Sequence, residues 1–334
     1  TFPDIRLVYW CGGNPFHHHQ DLNRLNRAWQ EPEAIIVHEP WWTATAKRAD
    51  IVFPATTQFE REDIGWAKGD PYLFHMPQMI PPVGQARDDY AIFSDLCNRL
   101  GCAEEFTHNK TADQWINVIY DEFATNAKIE GVRVPSWENL KQQNFVRLPI
   151  DSEENETIPY GEFRKNPETN PLETPSGKIE IFSERIASFG YTEVPGHPVF
   201  QMPNFDRVYP LRLLSPQPDD KLHSQLQAAI EDKQNHSTLL MHPVDANARN
   251  LVDGDEVRIT SPFGACVARL EARITIKPGV VSLPTGSWFS PTRGEVDLSG
   301  NPNVLTEDCG TSRLGQGAAA HNVGVEVTGI VRKT

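Results

Sequence analysis

The residues of this chain best equipped for chemistry come early, in the run Tyr9-Trp10-Cys11-Gly12-Gly13-Asn14-Pro15-Phe16. An apolar stretch from Ile5 to Trp10 stops at two glycines. A helix-like segment follows from Asp21 to Trp29, and a second apolar stretch, Ala34 to Val37, leads to an acid, Glu39. Strand, glycine turn, helix, strand and terminal carboxylate are the parts of a dinucleotide-binding unit. Gly12 and Gly13 let backbone amides approach a pyrophosphate with no side chain in the way. Asn14 can reach a phosphate or nucleoside oxygen, and Glu39, 26 positions beyond Gly13, can accept from ribose hydroxyls. The spacing is not Gly-x-Gly-x-x-Gly, so the pattern alone is only moderately specific, with a plain tight turn and a solvated strand-end acid as the alternatives.

The elements that must position them are legible in part. Ala49 to Pro54 reads as a short buried strand stopped by proline. Asp89 to Leu100 carries Tyr90, Ile92, Phe93, Leu96 and Leu100 at helical spacing, closed by Gly101. Lys110 to Ala127 places Trp115, Ile116, Ile119, Tyr120 and Phe123 on one helical face. Residues 128–210, rich in Pro, Asn, Glu and Ser, read as a long surface connection with short elements. Among these, Gly177 to Ser183 alternates like a strand, and Glu184 to Phe189 forms a helical turn ended by Gly190. From Tyr209 onward the texture changes. Strands are predicted at Leu211–Leu214, Leu239–Met241, Glu256–Ser261, Ala265–Ile276 and Val280–Pro284, with a short helix after His242. Closely spaced strands with turn signals imply a barrel or sandwich, so two domains are expected, 1–204 and 205–334.

Composition narrows the function classes. At 39% hydrophobic residues the chain can bury a core, and a net charge of -14 disfavours nucleic acid as a partner. No apolar stretch reaches membrane-spanning length. Five scattered cysteines without a Cys-x-x-Cys pair do not read as a disulfide framework; they read as small buried apolar groups rather than metal ligands.

Taken in order, several motifs resemble one family. They are Tyr9 to Phe16, His18-His19-Gln20-Asp21, Trp41 to Ala46, Ala49 to Thr57, Glu60-Arg61, Leu222-His223-Ser224-Gln225, Asn303-Val304-Leu305 and Gly310-Thr311-Ser312. Together they resemble the C-terminal part of the molybdopterin oxidoreductases of the dimethyl sulfoxide reductase family, with trimethylamine N-oxide and biotin sulfoxide reductases most similar. The resemblance implies a doubly wound α/β domain, for dinucleotide binding, over 1–204 and a double-psi-like β-barrel over 205–334. It also implies a bis(molybdopterin guanine dinucleotide) molybdenum cofactor. The metal-ligand serine of such enzymes lies in an earlier domain, so the chain reads as a C-terminal fragment with no metal ligand and no assignable catalytic residue. The implied reaction is oxygen-atom transfer from an S-oxide or N-oxide. Electrons would come from a c-type cytochrome in the periplasm or a soluble reductant in the cytoplasm.

The resemblance also implies roles. Gly12, Gly13 and Asn14 would meet a pyrophosphate, Glu39 a ribose or guanine edge, and Arg61 phosphate oxygens or a carbonyl edge. An ion pair of Arg61 with Glu60 or Asp63 is the simpler alternative. Asp89 would accept from the guanine donor edge, unless it or Asp88 merely caps the helix. Ser215, Gln217, His223, Ser224 and Gln225 would face pterin rings with mixed donors and acceptors. Asn303, Gln316 and Gly317 would close over the second cofactor. His17, His18 and His19 are adjacent and point in different directions, so a structural or pterin-neighbouring role is expected ahead of metal chelation. The alternatives are a formate dehydrogenase, nitrate reductase or hydroxytransferase relative, and a detached nucleotide-binding module without catalysis.

Overall fold

The computed structural model describes residues 3–67, 69–149, 158–200, 207–227, 237–319 and 323–330. Two compact units emerge. One comprises residues 1–37, 41–52 and 181–334; the other comprises 38–40 and 53–180.

The first unit opens with β1 (Leu7–Cys11), the short α1 (Pro15–His18) and α2 (Leu22–Ala28). They lead to β2 (Ala34–His38) and β3 (Ile51–Phe53), and the three strands form one sheet in the order β1-β2-β3. Asp21, in the left-handed region, caps α2 by accepting from the Arg24 amide. The apolar runs of the sequence are therefore strands, and the break at Gly12-Gly13 is where the chain turns into helix.

The second unit contains β4 (Asp63–Gly65), β5 (Tyr72–Met76), α3 (Asp89–Leu100), α4 (Ala103–Thr107), α5 (Ala112–Ile129), α6 (Trp137–Gln143), β6 (Phe145–Arg147) and α7 (Gly161–Lys165). Its antiparallel sheet runs β4-β5-β6. Helix α3 begins and ends where its apolar spacing predicts, with Gly101 left-handed at φ 78°. Helix α5 starts behind a capping box of Thr111 and Gln114 and packs Tyr120 against Leu73, Trp137 and Leu140. Ile119, expected on the same buried face, is instead 55% exposed.

The remaining elements return to the first unit: α8 (Glu184–Ala187), β7 (Leu211–Leu214), β8 (Thr238–Met241), α9 (Pro243–Asn247), β9 (Glu256–Thr260), β10 (Ala265–Ala272), β11 (Val280–Ser282), β12 (Val296–Asp297) and β13 (Gly324–Gly329). Strand order β10-β8-β11-β7-β13-β9, with β9 pairing back to β10, closes a six-stranded barrel, and β12 pairs alongside β10. Closure removes every edge within the ring. Leu213, Leu239, Met241, Val257, Ile259, Leu270, Val281 and Val325 fill the interior.

Two expectations are corrected. Strand β10 stops at Ala272, short of Ile276, because its parallel partner β8 ends at Met241, the residue opposite Ala272. Ile274 beyond it is 81% exposed. Gly177 to Ser183 alternates in sequence but forms no strand: Ile179 and Ile181 are more than 70% exposed, and the chain turns through a Gly177 amide bond to the Thr174 carbonyl. Phe16, Leu22 and Ala44 belong to the same apolar core as the barrel strands, so early and late segments fold as one body.

Candidate functional site

In the first unit the turn after β1 is built for close approach. Gly12 and Gly13 sit at φ 79° and 73°, a region costly for residues with a Cβ. A Cβ placed on either would have no atom within 4 Å, so the space above the turn is open. Asn14 is buried at the start of α1. Its Oδ1 accepts from the Thr45 hydroxyl, while its Nδ2 is buried with no hydrogen-bond partner.

The barrel loops grip this turn and its helices. Asn303 donates from Nδ2 to the His17 carbonyl at 2.7 Å, and Asn301 donates from Nδ2 to the Phe16 carbonyl at 3.5 Å. Asn23 reaches the Glu295 carbonyl at 3.1 Å, and Arg24 and Arg27 pair with Asp308 and Glu295. Arg48 lies over the rings of Phe16 and Phe289, 4.7 and 4.8 Å from their centroids.

Tertiary folding gathers His17, His18 and His223. One ring nitrogen from each lies within 4.8 Å of the others. His17 is buried, and its Nδ1 lacks a partner. Burial, followed by the nearby His18 and His223, lowers His17 to about 4; burial, then His223 and His19, lowers His18. Both rings are thereby biased toward the neutral form. Zinc bonds of ~2.0–2.1 Å require ligand nitrogens roughly 3.4 Å apart. A spread of up to 4.8 Å makes this trio a donor-acceptor wall rather than an assembled ligand set.

The loop carrying His223 follows β7. Ser215 Oγ is buried without a partner, and Gln217 donates to the Lys221 carbonyl at 2.9 Å. His223 is left-handed at φ 52°. Trp288 Nε1 donates to the Ser224 carbonyl at 2.8 Å, and Gln225 N–H closes a turn onto the Leu222 carbonyl. Gly286 is required here, since a Cβ would stand 3.0 Å from the His223 carbonyl.

In the second unit, the His38 side chain is buried and its Nδ1 lies 2.7 Å from Asp89 Oδ1. Asp88, not Asp89, caps α3 by accepting from the Ala91 amide, which releases the Asp89 carboxylate for this contact. Glu39, next to His38, is half-buried and its amide donates to the Phe53 carbonyl. A cleft of about 700 Å³ is lined by Arg61, Asp63, Gln78, Asp89, Tyr90 and Trp115, among others. Arg61 donates from Nε and Nη2 to one Asp63 oxygen at 3.2 and 3.1 Å. The Glu60 carboxylate is instead taken by the Thr57 and Val83 amides, which hold it below the usual carboxylate range.

The structure thus brings Arg61 and Asp89 to one cleft, and Asn14, His223 and Asn303 to contacts around α1 and its neighbours. It does not leave every predicted side chain facing outward. The carboxamide of Asn303 is engaged by His17. That of Gln316 donates to the Ser312 carbonyl, inside a loop where Thr311 N–H meets the Gly317 carbonyl. Sequence reasoning missed His38 and the convergence of His17 and His18 on His223. The only signal was a histidine at a strand end beside the acid at 39.

Two family models match the chain. A "Molybdopterin oxidoreductase" model matches residues 2–99, and a "Molydopterin dinucleotide binding domain" model matches 211–324. The chain belongs to the molybdopterin oxidoreductases. It is 41% identical to biotin sulfoxide reductase from Cereibacter sphaeroides, over 98% of the chain and 45% of that protein. It is 39% identical to dimethyl sulfoxide/trimethylamine N-oxide reductase from Rhodobacter capsulatus, over 98% of the chain and 41% of that protein. Trimethylamine-N-oxide reductase from Haemophilus influenzae is 40% identical, with 98% and 42% covered. The chain therefore spans less than half the length of these relatives. Acetylene hydratase from Pelobacter acetylenicus shares the fold, with a TM-score of 0.72 at 19% identity, over 97% of the chain and 44% of that structure.

Proposed function

We propose that this chain is the cofactor-anchoring part of a molybdenum-dependent oxidoreductase that reduces S-oxides or N-oxides, with bis(molybdopterin guanine dinucleotide) as cofactor. The observation that carries this reading is a set of buried polar atoms without protein partners, Asn14 Nδ2, His17 Nδ1 and Ser215 Oγ, in the unit that also holds the open two-glycine turn. Leaving such a group unpaired costs roughly 1–3 kcal/mol. A ligand rich in donors and acceptors, such as a pterin with its pyrophosphate, would satisfy them. The names of the similar reductases supply the substrate class.

On this reading Gly12, Gly13 and Asn14 receive a pyrophosphate. Ser215, Gln217, His223, Ser224 and Gln225 offer hydroxyl, amide and imidazole groups to pterin edges. Asn303, Gln316 and Gly317 act one step back, holding the backbone that carries these contacts. Glu39 accepts from a ribose, and Asp89, oriented by His38, accepts from a guanine donor edge. Arg61, held by Asp63, turns its remaining N–H groups to phosphate. Neutral His17 and His18 present polar nitrogens without adding charge. The bound metal supplies two-electron chemistry. The oxide, two electrons and two protons yield sulfide or amine and water, with a c-type cytochrome or soluble reductant as donor. The three-stranded sheet is read as part of a doubly wound sheet, and the barrel as double-psi-like.

The test is to purify the full-length protein, measure bound molybdenum, and follow viologen-dependent reduction of trimethylamine N-oxide, dimethyl sulfoxide and biotin sulfoxide. Bound metal with turnover of at least one oxide is expected. Metal-free protein, or turnover of formate or nitrate in place of the oxides, would refute the reading.

A further inference from the structure

Helix α3 ends in a cap that sets two cysteines side by side. Gly101 is left-handed, the Cys102 amide donates to the Cys97 carbonyl at 2.9 Å, and the Gly101 amide donates to the Asn98 carbonyl at 3.3 Å. This is the Schellman arrangement, in which the side chains bracketing the turn commonly touch through apolar groups. Here both are cysteines. The bond across the turn ties the Cys102 backbone to that of Cys97, the kind of closeness a disulfide needs, since its Cα atoms lie roughly 4.4–6.8 Å apart. Both cysteines are half-buried, whereas Cys266 is buried in the barrel core and Cys11 and Cys309 are exposed. The expectation of small buried groups thus holds for Cys266 and is corrected for the other four cysteines.

We propose that Cys97 and Cys102 are a thiol-disulfide modification site, closing across the C-terminal cap of α3 by exchange with a small-molecule disulfide. In the first step one cysteine thiolate attacks a sulfur of the disulfide, forming a mixed disulfide and releasing one small thiol. In the second, the neighbouring cysteine gives up its proton and attacks the protein-bound sulfur, expelling the second small thiol. Two protein thiols are oxidised and one disulfide is reduced to two thiols, with no other reagent. Burial, then the neighbouring Cys102 and Glu105, push the Cys97 thiol up. The bridge would pin the end of the helix whose first turn carries Asp89.

Arg99 lies between the two cysteines, with Arg87 and Lys110 outside them. The purified protein is treated with oxidised glutathione, free thiols are alkylated, and trypsin is added. Peptides 88–99 and 100–110 should then travel as one linked species, two hydrogens lighter than their sum and separable by reductant. Cys97→Ser and Cys102→Ser should each leave a glutathione adduct on the surviving thiol, with circular dichroism unchanged. Independent glutathione adducts on both cysteines of the unmutated protein would overturn the proposal. So would pairing with Cys11 or Cys309, or alkylation of both under conditions that modify Cys11.

Discussion

Replacing Gly13 by alanine separates backbone strain from ligand exclusion, because the structure supplies a matched control. Gly13 (φ 73°) and Gly101 (φ 78°) share the left-handed conformation, and a Cβ on either meets nothing within 4 Å. Both substitutions therefore carry only the left-handed penalty, roughly 1–2 kcal/mol, or about a 5- to 30-fold shift in the folded-to-unfolded ratio. Neither creates a clash within the protein. They differ in what lies outside it: Gly13 belongs to the proposed pyrophosphate turn, and Gly101 ends a helix. Denaturant unfolding should show similar losses for Gly13→Ala and Gly101→Ala. Bound molybdenum per protein should fall at least 10-fold for Gly13→Ala and by less than half for Gly101→Ala. Equal cofactor loading in the two variants would refute the reasoning, since the open space at Gly13 would then not be where the ligand approaches.

Two further predictions follow from neighbouring groups. Asp88→Ala should cost about 1 kcal/mol of stability by removing the cap of α3 while leaving cofactor content intact. Asp89→Asn should do the reverse, lowering cofactor content with little loss of stability, as measured by metal analysis alongside denaturant titration. His17 titrates at about 4 in the folded protein and near 6.5 when unfolded. The unfolded chain therefore binds the extra proton first on acidification. The stability tied to neutral His17 is fully present above about pH 6.5 and is lost as pH falls toward 4, by at most about 3 kcal/mol. His17→Gln should flatten that part of the stability-pH curve; an unchanged slope between pH 6.5 and 4 would contradict the assignment.

Local signals were readable where their causes are local. The spacing from Tyr90 to Leu100, with Gly101 behind it, specifies α3 because helix periodicity and a left-handed cap involve residues within a few positions of one another. Alternation alone misled at Gly177 to Ser183, since a strand exists only where a second strand supplies its hydrogen bonds. The same dependence on a partner shortened β10. In the candidate site, the glycine turn and the barrel loops were visible as motifs, whereas the engagement of Asn303 and Gln316 by backbone carbonyls was not.

By itself the sequence determined the family, the glycine break after the first strand, the helix bearing Asp89 and the strand-rich texture beyond Tyr209. Folding alone decided that the early segment shares the barrel's core, that His223 joins His17 and His18, and that Asp88 caps α3 so that Asp89 can meet His38, 51 positions away. The physical reason is that apolar periodicity records which way a side chain faces, while a polar contact depends on which distant residue arrives there. That arrival is set by barrel closure and core packing, and no local pattern encodes it.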